Sequence, residues 1–242
     1  MQQVLKLAAC CVNYINSLQI QNFMNFNNIT PVVKNLLIIN ILVYFGAMTL
    51  GSSLGEGFIN DWLAVHYPTS EYFKPIQLIT YMFMHGSLTH ILFNMFGLYM
   101  FGPPVEYIWG AKRFLIYYLF TGFGALALDF AVKYYQLNYT ALSADEAMML
   151  IDTPMVGASG AIFGLLAAYG FLFPNNIIMP LFPPIPMKAK YFVMIYGAIE
   201  LYSGISNMSH STSNIAHFAH VGGALFGILL MVYWSNGGKL GR

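Results

Sequence analysis

Six long apolar segments dominate the chain, and they constrain its fold more than any other feature. The segments run from about Val32 to Leu50, Leu88 to Gly102, Phe114 to Val132, Val156 to Phe173, Tyr191 to Ile205 and Ala216 to Trp234. About 20 apolar residues cross the hydrocarbon core as a helix, so each segment can span a membrane, the shorter ones with help from their flanks. Five prolines between positions 174 and 186 end any helix between the fourth and fifth segments.

The composition supports a membrane protein and excludes other classes. Only 8% of the 242 residues are charged and 58% are hydrophobic, whereas soluble domains average roughly 25% charged residues. A disordered chain would be poor in apolar residues. The net charge of +1 offers no basic surface to nucleic acid, and the adjacent Cys10 and Cys11 cannot build a disulfide framework. We therefore expect an all-α polytopic membrane protein with six transmembrane helices.

The basic residues predict the orientation of these spans. Eight of them fall on one side of a six-span arrangement: Lys6, Lys34, Lys112, Arg113, Lys188, Lys190, Lys239 and Arg242. Only Lys74 and Lys133 fall on the other side. The positive-inside rule then places both termini in the cytoplasm. We expect the protein to lie in a bacterial inner (cell) membrane.

This arrangement divides the chain into three parts. Residues 1–31 form a cytoplasmic or interfacial segment, residues 32–235 the membrane domain, and residues 236–242 a short tail. The string ending at Cys10 is similar to a lipidation signal, but polar residues follow it, and we favour an interfacial segment. The loop over residues 51–87 is apolar, so we expect it to lie partly in the membrane interface.

Uncharged polar residues mark the outer ends of three spans. His90 and Asn94 share one face of the second span, Ser159 follows Gly157 in the fourth, and His220 opens the sixth. His90, Ser159 and His220 each lie about four residues, or roughly 6 Å, below the outer end of their span, with Asn94 one turn deeper.

Small residues spaced four apart predict close contacts between these spans. They are Gly160, Gly164 and Ala168 in the fourth span, and Gly223 and Gly227 in the sixth. His220 lies on the same face as the latter pair. The polar residues of different spans are therefore expected to meet in one shallow layer.

That layer has the components of acyl transfer. Ser159 is a nucleophile if His220 removes its proton. His90, Asn94 and the backbone N–H of Ser159 could stabilise the resulting oxyanion. Because no Asp or Glu is evident at the depth of His220, with Glu200 midway along the fifth span, we predict a Ser-His dyad rather than a triad.

These motifs resemble those of the rhomboid intramembrane serine proteases. The similar strings are Gly157-Ala-Ser-Gly160, Ala219-His220-Val-Gly-Gly223, His90-xxx-Asn94 and, after the second span, Gly102-Pro-Pro-Val-Glu106-Tyr-Ile-Trp-Gly110. The resemblance implies that Ser159 is the nucleophile, His220 the base, and His90 and Asn94 the oxyanion donors, with support from Gly157, Gly160, His85 and Gly223.

The resemblance also implies a first loop lying sideways in the outer leaflet and a fifth helix that acts as a lateral gate. It implies transmembrane protein substrates cut near the outer face, with small residues around the cut. The chain departs from the pattern at Gln77-Leu78, where many members of the family carry a Trp-Arg pair.

Several alternatives remain at this point. Glu200 is either functional or only paired with a neighbour, and His217 and His85 are structural or functional. Glu106 and Arg113 are expected to be structural partners. We expect no cofactor and no metal, because no carboxylate shares a helix face with a histidine pair. The rival functions are a catalytically silent member of the family that binds transmembrane clients, and a small transporter.

Overall fold

A computed structural model describes residues 29–180, 184–206 and 213–236, and it is helical through most of this length. The α-helices are α1 (Pro31–Leu54), α2 (Glu56–Leu63), α3 (Gln77–Thr80), α4 (Leu88–Tyr139), α5 (Ala144–Asp152), α6 (Ser159–Leu172), α7 (Ala189–Ser206) and α8 (Ser213–Asn236). The N-terminal residues 1–28, with Cys10 and Cys11, and residues 237–242 lie outside the described residues, so the predictions about both termini stay predictions.

The proline-rich link between α6 and α7 contains no helix among its described residues. Instead, β1 (Ile177–Ile178) pairs antiparallel with β2 (Met187–Lys188), with Ile177 opposite Lys188. Prolines remove backbone donors and fix φ, which excludes a helix through this stretch.

The α4 helix is two spans joined by a sharp reversal at Gly110, which has φ 76° and ψ 161°. Asn94 lies beside Gly157, and Ala125 lies against Gly160. In a straight helix Asn94 and Ala125 would be roughly 46 Å apart, so the two halves of α4 must run antiparallel. A positive φ is readily adopted only by glycine, and Gly110 therefore permits the reversal.

The predicted end of the second span at Gly102 is wrong. Pro103 and Pro104 lie inside α4, and the helix continues to the reversal at Gly110. Prolines are tolerated within transmembrane helices because neighbouring groups satisfy the freed backbone carbonyls. The third span is also longer than predicted and continues to Tyr139.

Length and composition make three helices suitable for crossing a membrane: α1, the double-span α4, and α8 from Ala216 onward. The 14-residue α6 is apolar but shorter, and α7 has 18 residues. The protein is an all-α polytopic membrane protein, which confirms the predicted fold class.

Close contacts between α4, α6 and α8 form the centre of the bundle. A Cβ atom added to Gly223 would overlap the backbone of Gly160, and one added to Gly227 would overlap the hydroxyl of Tyr117. A Cβ on Gly164 would lie 2.5 Å from Thr121. The small-residue faces predicted from the sequence are therefore the surfaces on which these helices meet.

The buried side chain of Gln77 joins several parts of the loop between α1 and α4. Its Oε1 accepts hydrogen bonds from the backbone N–H groups of His66 (3.3 Å) and Lys74 (3.1 Å). Its Nε2 donates to the carbonyls of Asp61 and Tyr72, both at 2.8 Å. The glutamine at the point where the chain departs from the rhomboid pattern thus anchors the loop.

Candidate active site

Ser159 and His220 lie in hydrogen-bonding contact although they are 61 residues apart. Ser159 is the first residue of α6, and His220 lies two turns into α8. The Ser159 Oγ and His220 Nε2 atoms are 2.9 Å apart. The contact of Gly160 with Gly223 holds the two helices close enough for this bond.

The ring of His220 is held on its face by Phe163. The two rings are almost parallel, with an interplanar angle of 8° and a centroid separation of 4.2 Å. Phe163 lies one turn after Ser159 on α6, so a single helix supplies both the hydroxyl and the stacking partner. Side-chain packing therefore restricts rotation of the imidazole.

The prediction that no carboxylate lies beside His220 is wrong. The Oε2 atom of Glu200 is 3.0 Å from His220 Nδ1 and 2.6 Å from His217 Nδ1. The partial burial of all three side chains excludes much of the solvent from this cluster. Counted from the nearer ends of their helices, at Ser206 and Ser213, Glu200 and His220 lie at similar depths, so the count places both in one layer of the bundle but does not show that they face each other.

Glu200, His217 and His220 also present ligand atoms within 4.8 Å of one another. The argument against a metal site, that no carboxylate accompanies a histidine pair, therefore does not hold for this structure. The three side chains nevertheless satisfy one another by hydrogen bonding. We therefore do not propose a metal site at these residues.

The side chains of His90 and Asn94 both lie close to Gly157. Gly157 has φ 122°, and a Cβ atom there would lie 2.8 Å from His90 Nε2 and 3.7 Å from Asn94 Nδ2. The Nδ2 atom of Asn94 is buried and has no acceptor within the described part of the chain. An amide donor is therefore available beside Gly157, two residues before Ser159.

His85 packs against His90, with their ring centroids 5.0 Å apart. Its Nδ1 atom lies 3.3 Å from the carbonyl of Phe83. Burial lowers the pKa of His85 to about 4, so the ring is neutral near pH 7. These contacts support the structural alternative for His85, which steadies the ring of His90.

A cavity of ≈160 Å³ opens at these side chains. Its lining includes His90, Gly157, Ser159, Ala219 and His220. The predicted nucleophile, base and one predicted oxyanion donor therefore face one space. Asn94 lies behind Gly157 rather than in the lining.

The first loop fixes the segment that precedes Ser159, a contribution that the sequence did not reveal. Val65 and Met155 form an antiparallel bridge with N···O distances of 3.0 and 2.8 Å. The N–H of Gly157 donates to the carbonyl of Tyr81 at 2.8 Å, and the Tyr81 hydroxyl donates to the carbonyl of Gly122 at 2.8 Å. These hydrogen bonds connect the first loop to the segment before Ser159 and to the third span, which is the second half of α4.

Comparison with known proteins gives consistent matches. The rhomboid domain family matches residues 72–237. The rhomboid protease AarA of Providencia stuartii is 26% identical over 212 residues, covering 81% of this chain and 70% of AarA. YdcA of Bacillus subtilis is 28% identical over 214 residues, covering 87% and 92%. RHOMBOID-like protein 12 of Arabidopsis thaliana mitochondria is 30% identical over 150 residues, covering 61% and 43%.

Proposed function

The chain belongs to the rhomboid family, and on that premise we propose that it is an intramembrane serine endopeptidase. It hydrolyses peptide bonds of transmembrane proteins near the outer face of the membrane. The observation that carries this proposal is the 2.9 Å contact between Ser159 Oγ and His220 Nε2 at the cavity. A serine hydroxyl becomes a strong nucleophile when a neighbouring base accepts its proton.

In the first half of the reaction, Ser159 Oγ attacks the carbonyl carbon of the scissile bond while His220 Nε2 takes the hydroxyl proton. The tetrahedral intermediate then collapses, and the same nitrogen gives that proton to the leaving amine. The products of this half are an acyl-enzyme on Ser159 and a fragment with a new amino terminus. A water molecule, deprotonated by His220, then attacks the acyl carbon, and His220 returns the proton to Ser159 Oγ as the ester bond breaks. The second fragment leaves with a new carboxyl terminus.

We propose three donors for the oxyanion. The unpaired Nδ2 of Asn94 and the ring of His90 lie on one side of Gly157. Ser159 is the first residue of α6, so its backbone N–H has no acceptor within the helix. Donors fixed before the reaction stabilise the developing charge without reorganisation.

The membrane setting supports transmembrane proteins as the substrate class. Phe171, Met194, Ile228 and Leu229 are examples of large apolar side chains exposed on α6, α7 and α8, so a substrate approaches through lipid. A transmembrane helix hides its carbonyls in backbone hydrogen bonds and must unwind before it can be cut. We place the protein in a bacterial inner membrane with both termini in the cytoplasm.

The test is cleavage of a transmembrane substrate in reconstituted vesicles. Ser159→Ala and His220→Ala are each expected to lower kcat by roughly 10⁴-fold or more, because serine and histidine act as one unit. Ser52→Ala, an exposed hydroxyl on α1, is the matched control and retains full activity.

The outcome separates the protease from the client-binding alternative. Cleavage at the control rate by Ser159→Ala would overturn the proposal. Binding of the substrate with no cleavage by the unaltered protein would favour a catalytically silent member. A fluorophosphonate probe that labels Ser159 gives an independent measure of the nucleophile.

A further inference from the structure

The cluster on α7 and α8 extends the reacting pair, and we infer that Glu200 is a positioning residue that sets the tautomer of His220. This inference rests on the proposed function. The sequence predicted an imidazole oriented without a carboxylate, whereas Glu200 Oε2 lies 3.0 Å from His220 Nδ1. With Ser159 Oγ at 2.9 Å from Nε2, the three side chains form a Ser-His-Glu chain.

The direction of these hydrogen bonds follows from the chemistry of the groups. The Oε2 atom of Glu200 contacts two ring nitrogens, and an ionised carboxylate only accepts, so we assign the hydrogen to Nδ1 of His220, which donates it to Glu200. The Nε2 atom of the neutral ring then has a free lone pair directed at Ser159. This is the tautomer that can remove the serine proton. The opposite tautomer would donate to Ser159 Oγ and could not act as a base.

His217 provides the second contact that fixes Glu200. Its Nδ1 atom donates to the same Oε2 at 2.6 Å. Since α7 packs mainly on α8, the two histidines of one helix hold the carboxylate of its neighbour. Glu200 is 14% exposed and His220 is 19% exposed, so water competes little for the carboxylate.

The negative charge of Glu200 also contributes during the reaction. His220 becomes an imidazolium when it takes the serine proton, and the adjacent carboxylate stabilises that cation. An amide at position 200 supplies no negative charge and can flip, which would present a donor to Nδ1 and select the inactive tautomer. Glu200 therefore contributes to the chemical step without touching the substrate.

Glu200→Gln is the principal variant. We expect it to lower kcat by about 10²–10⁴-fold with an unchanged KM, as loss of the orienting carboxylate does in serine proteases. The rate of Ser159 labelling by a fluorophosphonate should fall in parallel. That reagent needs no unwound transmembrane helix, so the labelling rate separates activation of Ser159 from substrate entry. Glu200→Asp retains the charge and is expected to recover part of the lost rate.

Two further variants distinguish positioning from a purely structural link between α7 and α8. His217→Ala removes the shorter contact to Glu200 but leaves His220 and Glu200 together. We expect kcat of this variant to fall by less than about tenfold. Tyr202→Phe, exposed on the same helix, is the matched control. Thermal unfolding in detergent checks that each variant folds.

The results distinguish failure of the role of Glu200 from failure of the proposed function. An equal loss in His217→Ala and Glu200→Gln would show a structural link only and overturn the positioning role. Full activity in Glu200→Gln, with Ser159→Ala inactive, would overturn the role of Glu200 and leave the protease assignment intact. Full activity in Ser159→Ala would overturn both.

Discussion

At the scale of single residues, Gly157 occupies a position beside His90 that has no room for a side chain. Its φ of 122° is a conformation that residues with a side chain rarely adopt. A methyl group there would lie 2.8 Å from both Cε1 and Nε2 of His90. The absence of a side chain at this position therefore brings the His90 ring and the Asn94 amide up to the segment that carries Ser159.

Gly157→Ala is expected to lower kcat by at least about 10²-fold, because an oxyanion donor that is displaced contributes little. Backbone strain should also lower the unfolding free energy by about 1–3 kcal/mol. Gly46→Ala is the control, since Gly46 has open space around its Cβ position. Cleavage kinetics and thermal unfolding measure both effects, and unchanged kcat in Gly157→Ala would contradict the role given to this glycine.

At the scale of elements, side chains distant in sequence complete the ends of helices and loops. Glu106 of α4 accepts hydrogen bonds from the N–H groups of Val32 (3.0 Å) and Val33 (2.9 Å) and from the hydroxyl of Thr30 (2.5 Å). The carboxylate satisfies free donors at the start of α1 and lies at the positive end of its dipole. The hypothesis that Glu106 is a structural partner is confirmed.

Gln77→Leu tests the corresponding role in the first loop. The change leaves the backbone N–H groups of His66 and Lys74 without their acceptor, whereas the carbonyls of Asp61 and Tyr72 still accept from Lys74 Nζ. Each buried group left unpaired costs about 1–3 kcal/mol, so we expect the loop to detach from the bundle and activity to fall with it.

Faster hydrogen exchange across residues 56–84 in nanodiscs would reveal that detachment. Asn138→Leu is the control. The exposed amide of Asn138 makes one hydrogen bond, to the carbonyl of Tyr134, and its loss should leave the exchange rate across residues 56–84 unchanged. Exchange in Gln77→Leu no faster than in the control would show that other contacts hold the loop.

At the scale of the whole molecule, the few charges divide into those that face solvent and those that the bundle buries. Lys133 was counted among the outer basic residues, but it is only 1% exposed. Its Nζ lies 3.8 Å from Asp129 and donates to the carbonyl of Thr153 at 3.1 Å. It therefore serves as an internal partner, and the side of the protein that carries Lys74 and Lys133 presents even less positive charge to solvent than the sequence count suggests.

The predicted orientation can be measured with single cysteines in a variant lacking Cys10 and Cys11. Glu71 lies in the first loop and Lys112 follows the reversal at Gly110, and both are exposed. In intact bacterial cells, a membrane-impermeant maleimide should label Glu71→Cys, and it should label Lys112→Cys only after lysis. The reverse pattern would overturn the placement of the termini in the cytoplasm.

The sequence alone determined the helical class, the approximate spans and the pair Ser159 and His220. Hydropathy is a local property of a segment, and membrane thickness converts it into a helix of known length. The depth of a polar residue follows from its distance to the end of its span. Glycine spacing then indicated the close approach of α6 and α8 that brings the pair together.

The tertiary structure alone decided which side chains face one another. Depth along a helix does not specify its rotation, and so it did not show that Glu200 turns toward His220 and His217. Nor did hydropathy show that Gln77 faces inward. These contacts depend on helix rotation and loop path, which are set by packing of the whole bundle, and no pattern within a single segment records them.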